Sequence, residues 1–260
     1  MKLIVWFENF LKYRFLLNEL VIREIKLKYK RSVLGILWSV LSPLLMMLIL
    51  DVVFSRLFRF QIPNFLVYYL TGSLIFGFMQ EATSGAIFSV FGNAGLINKV
   101  YIPKYVFPIA KTVSAFVNFG FSLIALVFVT LITGIMPSFA LVTAPILFIT
   151  LFAFVLGLSL IVGTYAVFFR DLIHFHGIFM LMWMYLTPIF YPENIIPDTI
   201  KWIVAGNPIY AYIKFFRTIV IDMRFPSMRQ IAICTVWGIV SLALGLYVFK
   251  RNQNRFALYF

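Results

Sequence analysis

The sequence predicts an all-α integral membrane protein: six transmembrane helices, an N-terminal amphipathic interfacial helix, and short re-entrant helices between the fifth and sixth spans. Three observations lead there. Hydrophobic residues make up 63% of the 260 positions and charged residues only 12%, about half the charged share of a soluble domain, which leaves too little polar surface to face water. Long apolar runs recur from residue 33 to residue 249, so one removable leader does not account for the excess. Lastly, five basic residues (Arg23, Lys26, Lys28, Lys30 and Arg31) stop abruptly, and no charged side chain follows from Ser32 to Leu50. A basic collar before a run of about 20 apolar residues marks the cytoplasmic start of a span.

The elements follow in order. Residues 1–31 form the interfacial helix and its collar. At 100° per residue Leu3, Trp6, Phe7, Phe10, Leu17 and Val21 share one side, and Glu8, Lys12, Glu19, Arg23, Lys26 and Lys30 the other, the pattern of a helix lying in the headgroup plane. Arg14 interrupts the apolar side and predicts a bend or a snorkelling side chain. Residues 32–190 hold five spans: Ser32–Ser55, kinked at Pro43; Phe65–Phe91, carrying Gln80 and Glu81; Ile109–Ile135; Phe139–Phe169; and Leu172–Phe190. Residues 191–229 hold four prolines and two stretches, Ile200–Ala205 and Pro208–Ile221, too short or too interrupted to cross; re-entrant or interfacial helices fit them, provided protein shields their ends. The sixth span is Gln230–Phe249, and residues 250–260 are a basic tail. No second domain and no fixed-period repeat is visible.

Six crossings place both termini on one side. That side carries fifteen of the 22 Lys and Arg residues, and positive-inside bias makes it cytoplasmic. The net charge of +13 therefore belongs to anionic headgroups at span ends, with no indication of nucleic acid. The single Cys234 lies in an apolar run and allows no intramolecular disulfide.

The chain holds no G-x-x-x-x-G-K-[ST] loop and so does not itself cradle a nucleotide. Nor do paired acids share a span, which argues against coupling to an ion gradient. Glu81 is either a functional intramembrane acid or a group paired with Lys99 or Lys111, or facing a wet cavity. His174 and His176 stand two apart, pointing about 200° from each other on a helix, the wrong geometry for shared metal ligation; no metal site is expected. No hydroxyl has an adjacent base, and no catalytic residues are expected. Trp38, Phe76, Phe78, Trp183, Tyr185, Phe190 and Tyr191 could stack on the C–H faces of sugars, or simply pack against lipid and core.

Five stretches carry a family resemblance: IREIKLKYKRSVLGILWSVLSPLL, YIPKYVFP, VFFRD (Val167–Asp171), TPIFYP (Thr187–Pro192) and NPIYAYIKFFR (Asn207–Arg217). Together, in this order over nearly the whole chain, they resemble the ABC-2 type permeases of polysaccharide exporters, which serve O-antigen, teichoic acid and rhamnose polymers. The resemblance implies a bacterial inner or plasma membrane subunit. It would be a homodimer bound to two copies of a separate ATPase, with ATP and Mg on that partner and no cofactor in this chain. It further implies a coupling helix within residues 92–108 (Asn98, Lys99, Tyr101, Pro103, Lys104) and a second ATPase contact at Arg170 and Asp171. On this reading the seven rings line a glycan channel. The collar Arg23, Lys26, Lys28, Lys30 and Arg31 meets the pyrophosphate of the carrier lipid, although orientation alone also explains it. The alternatives are an ABC-2 permease for a drug or other small molecule and a membrane-embedded glycan-lipid transferase; the latter would want clustered acids or histidines that the sequence does not supply.

Overall fold

The computed structural model describes residues 13–58, 62–93 and 102–258. Among them the regular structure is entirely helical: α1 Arg14–Tyr29, α2 Leu37–Asp51, α3 Phe65–Ser89, α4 Val106–Ile132, α5 Ala144–Phe168, α6 Leu172–Leu186, α7 Asp198–Ala205, α8 Pro208–Val220 and α9 Met228–Asn252. A π-helical turn, Val52–Leu57, extends α2, and a 3₁₀ turn, Phe139–Thr143, precedes α5.

Four helical stretches are long and apolar enough to cross a membrane: Leu37–Ser55, Val106–Ile132, Phe139–Phe168 and Met228–Phe256. The other two expected spans differ for separate reasons. α3 has the length, 25 residues, but carries Gln80 and Glu81 among its apolar side chains. α6 was expected to reach Phe190 and stops at Leu186, with Thr187 extended at φ −104°, ψ 129°. Pro188 clashes with a helical conformation at the residue before it, and that ends the helix.

α3 is the axis of the bundle. Sixteen of its 25 residues are buried, and it touches α2, α4, α5, α6 and α8. Around it Phe78, Phe116, Phe119, Phe148 and Phe152 interlock edge to face or tilted, with centroids 5.2–5.5 Å apart, the favoured geometry for aromatic pairs. The outer helices keep their apolar side chains on the surface, among them Leu45, Leu48 and Ile49 on α2 and Phe175, Ile178 and Leu181 on α6.

The tightest contact is α5 on α9. A Cβ placed on Gly157 would collide with the Ser241 backbone, and one on Gly245 would strike Gly157 itself. Ser241 Oγ donates to Phe154 O at 2.8 Å. In lipid no hydrophobic force draws helices together, so small residues that admit close backbones supply the contact.

Pro43 lies inside α2, as the sequence predicts. Lacking an N–H, it leaves the Ser39 carbonyl without its helical partner. Ser122 Oγ on α4 donates to that carbonyl at 3.0 Å, so a packed neighbour satisfies what the proline frees.

α1 departs from the sequence expectation. Residues 1–12 lie outside the described residues, and Arg14 opens the helix as an exposed first residue instead of interrupting its apolar side. The face bearing Leu20 and Val21 is buried against Ile102, Val106, Phe107 and Ala110. Farther on, Glu24 meets Lys111 and Tyr29 meets Asn118. The partners advance together along both helices, so α1 packs lengthwise on α4.

Gly157→Leu is expected to lower stability by about 1–3 kcal/mol or more through overpacking, read as thermal loss of the monodisperse peak in detergent. Gly177→Leu, where a Cβ meets nothing within 4 Å, should leave that peak unchanged.

Candidate functional site

Polar side chains gather at the two ends of the bundle. At the α1 end, Glu81 on α3 uses both oxygens: Lys28 Nζ donates to Oε1 at 2.7 Å and Asn118 Nδ2 to Oε2 at 2.8 Å. The Tyr29 hydroxyl donates to Asn118 Oδ1 in a short contact, which orients the amide. Lys111 Nζ donates to Glu24 Oε2 at 2.5 Å, and Arg23 reaches Glu24 and Asn93. Of the partners the sequence offered for Glu81, Lys111 is committed to Glu24 and Lys99 lies outside the described residues.

Sequence reasoning missed Glu24, Tyr29 and Asn118. A signal was present: Glu24 and Lys28 stand four apart and Lys111 and Asn118 seven apart, each pair on one helical face. Two matching polar faces on otherwise apolar helices imply that they meet. Beside this network a cleft of about 260 Å³ opens between α2, α3 and α4, lined among others by Ser42, Tyr69, Ser73, Glu81, Asn118 and Ser122.

His174 is exposed and His176 buried, with His176 Nε2 3.0 Å from Thr83 Oγ1. Thr83 spends its own proton on the Met79 carbonyl at 2.7 Å, so the imidazole N–H donates to the hydroxyl.

The opposite end is organised by Arg217 on α8, whose residue is 6% exposed. Its Nη2 donates to Tyr68 O at 3.1 Å and Ile189 O at 3.2 Å, and its guanidinium lies 3.4 Å from the Tyr68 ring centroid, a cation–π geometry. Tyr68 in turn donates to Tyr191 O at 2.9 Å. Trp183 Nε1 donates to Asn207 Oδ1 at 2.9 Å, and Asn207 Nδ2 to Thr187 Oγ1 at 2.8 Å. The irregular chain after α6 is thus held by side chains of α3, α6 and α8. Arg217 stood in a quoted motif, but its spacing gives no sign that it would be buried.

The rings named from the sequence separate. Phe76 and Phe78 are each 2% exposed and pack in the core, with Phe78 also lining the cleft beside Glu81; the mixed pattern of α3 has no periodicity that selects its open side. Phe190 is buried as well, stacked on Phe54 at 5.2 Å. Trp183 and Tyr191 are half-buried, whereas Trp38 and Tyr185 are exposed. In the collar, Arg23 and Lys28 are engaged within the protein; Lys26, Lys30 and Arg31 are exposed, and Arg31 takes a left-handed φ of 64° as α1 turns toward α2. Asn98, Lys99 and Tyr101 lie outside the described residues; Pro103 and Lys104 are half-buried, and Arg170 and Asp171 are exposed between α5 and α6. Burial pushes the Lys104 amine below the usual lysine pKa.

A polytopic helical bundle with apolar flanks, and with Glu81 and Lys111 paired to α1, is a membrane protein with polar groups gathered at both ends. The comparisons narrow that class. The family profile described as ABC-2 type transporter matches residues 16–221. Similar curated proteins include an O-antigen export system permease protein RfbA of Klebsiella pneumoniae, 31% identical over 236 residues that cover 90% of this chain and 91% of the relative. A protein of the same name from Myxococcus xanthus is 29% identical over 248 residues, 95% of each. The chain belongs to the ABC-2 type transporter family.

The charge pair at Glu81 is open to a direct check. Lys28→Glu and Glu81→Lys should each destabilise the detergent-purified protein by about 1 kcal/mol, and the double exchange should recover most of the loss in thermal unfolding.

Proposed function

We propose that this chain is the permease subunit of an ATP-driven exporter that carries a lipid-linked polysaccharide across the bacterial inner or plasma membrane. The observation that carries the reading is similarity to O-antigen export permeases over nine-tenths or more of both chains. ATP hydrolysis belongs to a separate ATPase subunit.

In this reading α2, α3, α4, α5, α6 and α9 are the six crossings, and both termini are cytoplasmic. α7 and α8 are re-entrant at the outer face. Their 8 and 13 residues rise about 12 and 20 Å, short of the roughly 30 Å hydrocarbon core. Burial of Ile209, Tyr212, Ile213, Phe215 and Phe216 fits the protein shielding that a re-entrant helix needs. Both acid oxygens of Glu81 are hydrogen-bonded, an arrangement that suits a structural ion pair better than a proton relay.

A glycan's hydroxyls cost roughly 2–7 kcal/mol each if left unpaired in hydrocarbon, so the export path is wet and runs between two copies of the chain. The exposed rings Trp38 and Tyr185 remain candidates to line it, with half-buried Trp183 and Tyr191 behind them. Lys26, Lys30 and Arg31 are the collar residues free to meet a lipid pyrophosphate. Nucleotide binding on the ATPase acts through residues 92–108, including Asn98, Lys99, Tyr101, Pro103 and Lys104, and through Arg170 and Asp171.

Depleting the protein in its host should cause lipid-linked glycan to accumulate at the cytoplasmic face. In proteoliposomes with the ATPase, Tyr101→Ala or Lys104→Ala should cut permease-dependent stimulation of hydrolysis about fivefold or more while the permease still purifies as a folded peak. Unaided ATP hydrolysis by the isolated chain, or glycan distribution unchanged on depletion, would overturn the reading.

A further inference from the structure

After α9 the described chain turns back on the bundle. It makes a 3₁₀ turn, Gln253–Leu258, that returns Phe256 into the bundle with no residual exposure. Its ring meets Phe249 at 5.4 Å and Phe168 at 5.8 Å, both edge to face, and its cluster includes Val90, Leu160 and Val167. From the other side Lys104 Nζ donates to Gln253 O at 2.8 Å and sits 5.5 Å from the centre of the Phe256 ring.

The positions of these partners carry the argument. Val90 closes α3, just before the connection to α4, and Lys104 lies near that connection's far end. Val167 and Phe168 close α5, immediately before the Arg170–Asp171 turn. One aromatic side chain from the tail therefore touches the roots of both segments that the exporter reading assigns to ATPase contact. Phe256 is the first apolar side chain after a polar run (RNQNR from Arg251), and neither ending a helix nor facing headgroups requires it to be buried. Its complete burial places one ring against the roots of both loops.

We infer that the C-terminal tail is a bracket: Phe256, with the Lys104–Gln253 hydrogen bond, ties the two ATPase-facing connections into one unit so that a push on either moves both. Phe256 acts through its neighbours and is a positioning residue. The inference rests on the exporter reading for what the loops transmit, but not for the tie itself.

The test uses the full-length permease with its ATPase in proteoliposomes, comparing Phe256→Ala and Phe256→Leu with the unaltered chain. Phe256→Ala should leave the ATPase bound and hydrolysing, lower the glycan moved per ATP about fivefold, and speed amide exchange at residues 102–105. Phe256→Leu, which keeps apolar bulk, should recover at least half of both. Phe169→Ala, at a ring 63% exposed, should change neither. If Phe256→Ala does not accumulate, Phe168→Leu, which removes the ring that meets Phe256 edge to face and keeps apolar bulk, carries the same two readouts. An unchanged transport-to-hydrolysis ratio, or unchanged exchange at residues 102–105, overturns the bracket. Should the unaltered chain bind no ATPase, the exporter reading fails instead, and the exchange comparison in the detergent-purified chain alone decides whether the tail ties the loops.

Discussion

Charge has to be neutralised before helices of this composition can pack, and the pairing of α1 with the bundle meets that need. Glu81 sits well inside α3, and Lys111 near the start of α4. Left alone in hydrocarbon, either would cost several kcal/mol. α1 brings Lys28 to the first and Glu24 to the second, one turn apart on the same face. The collar therefore does more than orient the chain: Lys28 and Arg23 are engaged by Glu81 and Glu24, while Lys26, Lys30 and Arg31 stay exposed.

The same economy governs the backbone. Pro43 frees the Ser39 carbonyl and Ser122 takes it; Pro188 breaks α6, and Tyr68, Arg217 and Asn207 gather the loosened strand of chain that follows. Each irregularity in an apolar helix is matched by a polar side chain from a neighbour, as a medium without water demands. Between α5 and α9 the helices approach until backbone meets backbone at Gly157 and Gly245, and Ser241 adds a hydrogen bond to the Phe154 carbonyl.

Much of the helix plan was legible in the sequence, because in a membrane chain charges and prolines punctuate apolar runs. Span two was read as Phe65–Phe91, and the helix there is Phe65–Ser89; span four was read as Phe139–Phe169, and the helical stretch is Phe139–Phe168. The misreading at span five came from weighing hydropathy above the restriction that Pro188 places on Thr187. What stayed hidden is pairing at long range. Lys28 and Glu81 are 53 residues apart, and nothing local to either names the other. Facing was equally opaque: Phe76 and Phe78 stand in a helix whose polar residues mark no single face, and only the packed bundle reveals that both are buried. The exposed rings Trp38 and Tyr185, by contrast, lie on peripheral helices, where a single copy leaves one side uncovered.

The early end of α6 bears on the membrane itself. Fifteen residues rise about 22 Å, roughly 8 Å less than a typical hydrocarbon layer is thick. A free helix with that deficit would pinch the bilayer around it, at some fraction of a kcal/mol for every ångström. Here the shortfall is taken up by the turn from Thr187 to Pro192, whose exposed-backbone debt is settled by donors from α3 and α8. If α6 is a crossing, as proposed, the lipid beside it can keep its ordinary depth.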